Sequence, residues 1–215
     1  MSQTLSPQTP GLQTELALLE RFEKVIALDE VGRGALAGPV AIGAAVFTRQ
    51  TDLTIPKGLK DSKLIAESKR DDVALRSASW VQTTAGFVAA SEIEAIGISR
   101  ALQLAAIRAL ENLNLENAVI LLDGTHNFLK DQVPVQVVTQ VKADRDCASV
   151  SAAAIWAKVQ RDNQMRQMHE EFQAYGFEKN KGYASPDHIS ALQSVGPCAE
   201  HRHSWLTKIL QTELF

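Results

Sequence analysis

The chain has 215 residues, 45% of them hydrophobic, and a formal net charge of −3 at pH 7. That length fits one domain, or one domain with an appended subdomain, and can bury a sizeable core. The acidic balance weighs against a passive nucleic-acid binder resting on a broad basic face, and no apolar run reaches membrane-spanning length.

In chain order, residues 1 to about 15 are rich in Ser, Thr, Gln and Pro and read as a flexible tail. The start lacks the basic and apolar regions of a signal peptide, so secretion is not expected. Leu16 to Lys24 forms a short helical lead-in. Two strands, about 25–30 and 39–47, pair antiparallel across a glycine turn. Thr51 to Lys60 is a loop, followed by Asp61-Ser62-Lys63 and a helix from about Ala66 to Ser79. Trp80 to Ala90 is a third strand. Ser91 and Glu94 spell a capping box, starting a helix that runs through Ile98, Leu102, Ala105 and Ala109 to about Leu113. Ala118 to Leu122 is the most apolar strand and runs into Asp123, and Val133 to Val141 is a further strand ending in Lys142-Ala143-Asp144. A long helix covers about 148–174, a basic loop Gly176 to Ser185, and two more helices Pro186 to Ser194 and His203 to Leu214. This order implies a mixed α/β sheet with helices and a helical C-terminal region. Cys147 and Cys198 share no metal-ligand spacing and read as ordinary thiols of a reducing, cytoplasmic compartment.

The first strand climbs straight into Asp29-Glu30 and a glycine-bracketed arginine, Gly32-Arg33-Gly34. Ionised carboxylates at the end of a buried strand need compensation, and Arg33 is the one nearby cation in sequence. A loose dinucleotide-binding reading of Gly32, Gly34 and Gly38 fails, because that motif must open a helix and here a second strand follows. A plain turn with solvated acids stays open at this point. If the Asp123 strand lies parallel beside the first, then Asp29, Glu30, Asp123 and Asp144 share the sheet edge where open α/β sheets place their sites. Four carboxylates there call for hard cations, Mg²⁺ or Mn²⁺, since no His or Cys cluster suits zinc. Two such ions about 3.5–4 Å apart serve phosphodiester hydrolysis. Asp162, deep in the long helix, reads as an ion pair with Arg166.

Six ordered segments carry a resemblance. Asp29-Glu30-Val31-Gly32-Arg33-Gly34 with Ala37-Gly38-Pro39-Val40, then Asp61-Ser62-Lys63, then Leu122-Asp123-Gly124, resemble type 2 ribonucleases H, specifically bacterial ribonuclease HII. Lys142-Ala143-Asp144 with the Ser151 to Asp162 helix, Lys181-Gly182-Tyr183 with His188, and Gly196-Pro197 with His201-Arg202 continue the match. Departures are small: the family usually has Gly at Ala143, Ser at Ala154, Gly-Thr at Ala184-Ser185 and Phe at Trp205.

The resemblance implies a ribonuclease-H-like mixed β-sheet flanked by helices. A tail over 1–15 would precede a catalytic domain over 16–177 and a C-terminal helical substrate-binding region over 178–215. It implies cleavage of the RNA strand of RNA–DNA hybrids, and incision 5′ of single ribonucleotides in duplex DNA, leaving 3′-hydroxyl and 5′-phosphate ends. Asp29, Glu30, Asp123 and Asp144 map onto catalytic metal ligands for two divalent ions, Mn²⁺ or Mg²⁺. Gly32, Arg33, Gly34 and Tyr183 map onto the elements that sense the ribose 2′-hydroxyl, and Lys63 onto a phosphate contact. Lys179, Lys181, Arg202 and Lys208 are candidate grips on the duplex backbone, and His201 and His203 read as structural or phosphate contacts rather than metal ligands. A monomer is expected, with no membrane partner, and a replication-clamp contact is left open. The rivals are a resolvase-type nuclease on the same sheet, which needs no ribose sensor, and a non-catalytic hybrid-binding protein, which gains nothing from clustered acids.

Overall fold

A computed structural model describes residues 9–210. The elements in chain order are α1 (Gln13–Leu19), β1 (Lys24–Val31), β2 (Val40–Thr48), α2 (Glu67–Trp80), β3 (Gln82–Val88), α3 (Ala90–Ile96), α4 (Ile98–Leu110), β4 (Ala118–Asp123), β5 (Gln136–Gln140), α5 (Ala143–Asp146), α6 (Ala148–Glu171), α7 (Phe177–Asn180), α8 (Pro186–Val195) and α9 (Thr207–Leu210). The five strands form one sheet in the order β3-β2-β1-β4-β5. β1 pairs antiparallel with β2, as expected, and parallel with β4, with Leu28 opposite Leu122. β2 pairs antiparallel with β3, and β4 parallel with β5. The expected mixed α/β sheet flanked by helices is what forms.

Alternation along the strands separates two cores. Val25, Ala27, Val119 and Leu121 face α6 and α2, where they meet Ala152, Ala153, Ile155 and Val73. Ile26, Leu28, Ile120 and Leu122 face α4 and meet Ala101, Leu102, Ala105 and Ala109. Each fully buried Ile or Leu contributes about 1.5–3 kcal/mol, which is why the most apolar strands lie in the middle. Alanine-rich helix faces let the helices sit close. A Cβ on Gly43 would lie 2.2 Å from the Ala153 carbonyl of α6. A third cluster, Leu36, Ala37, Met165, Tyr175, Phe177, Leu192 and Leu206, joins the C-terminal region to the turn after β1.

Several boundaries differ from the sequence reading. α1 begins at Gln13, inside the expected tail, because Glu15 is buried there and its carboxylate accepts from the Ser149 amide (2.9 Å) and hydroxyl (2.7 Å). The rest of that tail, residues 1–8, lies outside the described residues. The helix expected to start at Ser91 starts at Ala90 and breaks at Gly97, whose φ is +77°. Glu92 is the residue whose carboxylate accepts from the Ala89 amide, at 3.0 Å. Glu94 instead holds Ser204, amide and hydroxyl, at 3.0 and 2.8 Å. Among the described residues no helix is long and apolar enough to cross a membrane.

Candidate active site

β1 and β4 run side by side and carry Asp29-Glu30 and Asp123 at their C-terminal ends, so the parallel pairing delivers these acids to one end of the sheet. Asp144 arrives differently. It is not at a strand end but in the first turn of α5, after Lys142 takes the left-handed conformation (φ +60°) and redirects the chain. The Asp123 carboxylate anchors that turn by accepting from the Ala143 amide at 2.6 Å. A groove of about 510 Å³ opens over this edge, and Asp29, Glu30, Gly32, Arg33, Gly34, Lys63, Asp123, Asp144 and Tyr183 all line it. All nine site residues expected from sequence are therefore in one place.

The electrostatics are those of crowded acids. Burial pushes the Asp29 carboxyl well above its ordinary value, and the charges of Asp123 and Asp144 push it further. Asp144 is also raised, by burial and then by Asp123 and Asp61, although Lys63 stands 3.7 Å away. Burial draws the Lys63 ammonium down, but Asp61, Asp144, Asp29 and Asp123 outweigh it and hold the group above its ordinary value. Among the described residues no three acids are already closed up into a ligand set, although Asp29, Glu30, Asp123 and Asp144 share the groove. Three of the four carboxylates lean on a protein donor: Glu30 on Arg33 at 3.2 Å, Asp123 on Ala143, Asp144 on Lys63. The donors are all carboxylate oxygens under mutual repulsion, and such a set suits hard divalent cations.

The turn after β1 is held from behind. Gly32 has φ +81°, and a Cβ there would strike Arg161 Nε at 2.2 Å. The Gly32 amide donates to the Tyr183 hydroxyl at 3.2 Å, so two motifs 151 residues apart meet at the groove. Tyr183 is 38% exposed, and the Arg161 guanidinium lies 5.4 Å from its ring centre. Behind it, His188 Nδ1 lies 2.9 Å from the Tyr183 carbonyl, His188 Nε2 lies 3.0 Å from His201 Nε2, and the Cys198 amide donates to His201 Nδ1 at 3.0 Å.

Sequence reasoning missed the residues whose acceptors are distant carbonyls. Arg161 is buried and donates to Pro39 (2.8 Å), Lys181 (2.9 Å) and Ala37 (3.2 Å). Arg202, expected to grip a duplex, is fully buried and donates to the carbonyls of Gly32, Arg33 and Gly38. Lys181, likewise expected on the surface, is 5% exposed and pairs with Glu67 at 3.0 Å. Lys179 is exposed, and the Lys208 side chain lies outside the described residues. His201, read as a structural or phosphate contact, is buried against His188 and the Cys198 amide, while His203, read the same way, is exposed. Asp162 pairs with Lys158 (2.6 Å) and Arg70 (3.8 Å), not with Arg166. Lys158 itself lines the groove; the only hint in sequence was its place in the motif-bearing helix.

Comparison with known proteins follows this geometry. The chain matches the family described as ribonuclease HII over residues 26–208. It is 40% identical to ribonuclease HII of Streptomyces avermitilis over 200 residues, covering 93% of this chain and 84% of that protein. The crystal structure of ribonuclease H2 from Pyrococcus horikoshii OT3 is similar with a TM-score of 0.72 and 26% identity, covering 87% of this chain and 97% of that one. Bst ribonuclease HIII, solved in complex with Mn²⁺, shares the fold with a TM-score of 0.60 at 19% identity, covering 84% and 66%. The acid-edged sheet, the glycine turn beneath a tyrosine and the match across nearly the whole chain place this protein in the ribonuclease HII family, as a ribonuclease H-type hydrolase.

Proposed function

We propose that the chain cuts the RNA strand of RNA–DNA hybrids and incises duplex DNA on the 5′ side of a single embedded ribonucleotide, leaving 3′-hydroxyl and 5′-phosphate ends. The observation that carries this is the meeting of two devices in one groove: four carboxylates from β1, β4 and α5, and the Gly32–Tyr183 contact beside them. Asp29, Glu30, Asp123 and Asp144 would hold two divalent ions, Mg²⁺ or Mn²⁺. Bound there, such ions supply a lowered water pKa and a stabilised leaving oxygen.

The chain's own residues do the selecting. A 2′-hydroxyl both donates and accepts, and it distinguishes RNA from DNA at a site. Gly32, Arg33 and Gly34 form the turn that reads it, Gly32 by shaping the turn and Arg33 and Gly34 through their backbone groups, and the Tyr183 ring packs against the neighbouring sugar. Lys63, its side chain 82% exposed, meets a phosphate of the bound strand. The region from about residue 178 closes over the duplex and contributes Tyr183. The enzyme acts as a monomer in the cytoplasm, a setting that suits its two free cysteines, Cys147 and Cys198.

The test is a gel assay on a duplex bearing one ribonucleotide and on the matching all-DNA duplex, with Mg²⁺, with Mn²⁺ and with EDTA. Metal-dependent cutting 5′ of the ribonucleotide alone is expected. Equal cutting of both duplexes would favour a resolvase-type nuclease, and binding without cutting a hybrid-binding protein.

A further inference from the structure

Arg202 is fully buried, and every hydrogen bond its guanidinium makes goes to a backbone carbonyl: Nη2 to Gly32 (2.8 Å) and Gly38 (3.0 Å), Nη1 to Arg33 (2.8 Å), Nε to Gly38 (3.3 Å). A buried cation is costly unless it is paired and well bonded. A residue placed to grip nucleic acid would not be spent on three carbonyls inside the protein. The two it takes from the glycine turn have a specific consequence. A peptide unit is planar, with its carbonyl and its amide pointing in opposite directions. Drawing the Gly32 carbonyl inward turns the Arg33 amide outward, and drawing the Arg33 carbonyl inward turns the Gly34 amide outward. Arg33 and Gly34 are exposed, and among the described residues neither amide donates to a protein acceptor.

We infer that Arg202 is a positioning residue for the ribose-reading turn: from inside the protein it aims the Arg33 and Gly34 amides into the groove as a pair of donors for an oxygen of the ribonucleotide. A cation on the carbonyl also polarises the peptide, strengthening the amide on its far side as a donor. The residue's own setting is rigid. Its guanidinium lies 4.8 Å from the Trp205 ring centre, its amide donates to Leu36 at 2.8 Å, and Glu200 receives the Gly38 amide at 2.8 Å. Arg161 backs the next stretch, through Ala37, Pro39 and Lys181, so of the two buried arginines it is Arg202 that serves the peptides facing the groove; the Gly32 carbonyl also accepts from the Ala35 amide at 3.2 Å, whereas Arg202 is the donor to the Arg33 carbonyl. Burial and the nearby Arg161 charge lower its pKa only to about 10, leaving it charged at neutral pH.

This inference rests on the ribose-sensing reading above, and the test separates the two. Arg202→Lys keeps a charge but cannot reach both turn carbonyls. Binding of the one-ribonucleotide and all-DNA duplexes is measured in EDTA for both proteins, with amide spectra recorded by NMR. In the variant, the Arg33 and Gly34 amide signals should move while those of Ile26, Leu28, Ile120 and Leu122 stay. The preference for the ribonucleotide duplex should fall at least tenfold, with affinity for all-DNA duplex within about twofold. A folded variant with full preference, or one losing affinity for both duplexes alike, overturns the inference. If the variant does not fold, the wild-type protein decides: the Arg33 and Gly34 amides and the Arg202 Nη signals should all shift with the ribonucleotide duplex and not with all-DNA, and no such difference overturns it. If wild type shows no preference at all while the variant still moves both amides, the ribose-sensing reading fails and the aiming of the turn survives.

Discussion

Replacing Tyr183 with Phe isolates one oxygen. The phenol accepts the Gly32 amide at 3.2 Å, so its single hydrogen is not committed to that bond and can be donated into the groove. Phe keeps the ring, and with it the contact 5.4 Å from the Arg161 guanidinium. Gly32 is buried but lines the groove, so water entering the space of the lost hydroxyl can meet its amide, and the folding loss should be about 1 kcal/mol, near the middle of the usual range for one hydrogen bond. That corresponds to a fall in Tm of about 2–4 °C for a domain of this size. The catalytic loss should be larger. A hydroxyl donating to a phosphate oxygen is a charge-assisted bond worth about 1.5–3 kcal/mol, or roughly a 10- to 150-fold loss in kcat/KM. Tyr183→Ala also removes the ring and should fall further. Single-turnover and steady-state cleavage of the one-ribonucleotide duplex, with a melting curve for each variant, supplies the numbers. A Phe variant within twofold of wild type beside a crippled Ala variant would refute the role given to the hydroxyl.

Asp29→Asn and Asp123→Asn should abolish cleavage in Mg²⁺ and in Mn²⁺, while Tm in EDTA holds or rises because repulsion at Asp29 is relieved; an Asp123→Asn protein that still cuts near the wild-type rate would sink the assignment. Gly32→Ala should lose both activity and stability by about 2 kcal/mol or more, since φ +81° is strained for alanine and the new carbon would lie 2.2 Å from Arg161 Nε, so an active, unshifted variant would contradict the packing. Burial lowers the pKa of His188 and holds that of His201 at about 4, below its ordinary 6.5. Protons therefore favour the unfolded chain: the stability is fully present above about 6.5 and is lost towards 4, at up to about 1.4 kcal/mol per pH unit for each group. His201→Asn should flatten the fall in Tm between pH 7 and pH 5; an unchanged slope would show that other groups carry it.

What the sequence announced and what it concealed divide on one physical line. Apolar runs such as Ala118 to Leu122 must be buried, and an acid at the end of such a run must emerge at the sheet edge, so β1, β2, β4, Asp29 and Asp123 were legible. Asp144 was placed at a strand end because only spacing was visible; the left-handed Lys142 that turns the chain into α5 has no pattern in sequence. Ser91 and Glu94 have the letters of a capping box, yet Glu94 serves Ser204 from 110 residues away. Lys181 and Arg202 read as surface charge, and Arg161 does not stand out, because sequence shows a cation but not its acceptor. Their partners are carbonyls or carboxylates from remote segments, so only the assembled chain reveals that they are interior. The C-terminal region is for the same reason no mere appendage: it supplies the back wall of the turn.

The pleat of β1 carries one more consequence. Successive strand residues project to opposite sides, so Asp29 falls on the side of Val25 and Ala27, facing α6, while Glu30 falls on the side of Ile26 and Leu28, facing α4. Glu30 accordingly borders a second hollow as well, with Arg33, Ser99 and His126. The neighbouring pair of acids thus straddles the sheet like a rider, one leg on each flank, and a strand of nucleic acid lying across the sheet's end would meet carboxylates on both. Inserting a single residue between Lys24 and Asp29 would exchange the flanks of both acids and turn the apolar side chains of β1 to the wrong cores at the same stroke. Core and site are written in one two-residue rhythm, so a length change that a loop would absorb disrupts both when it falls within that strand.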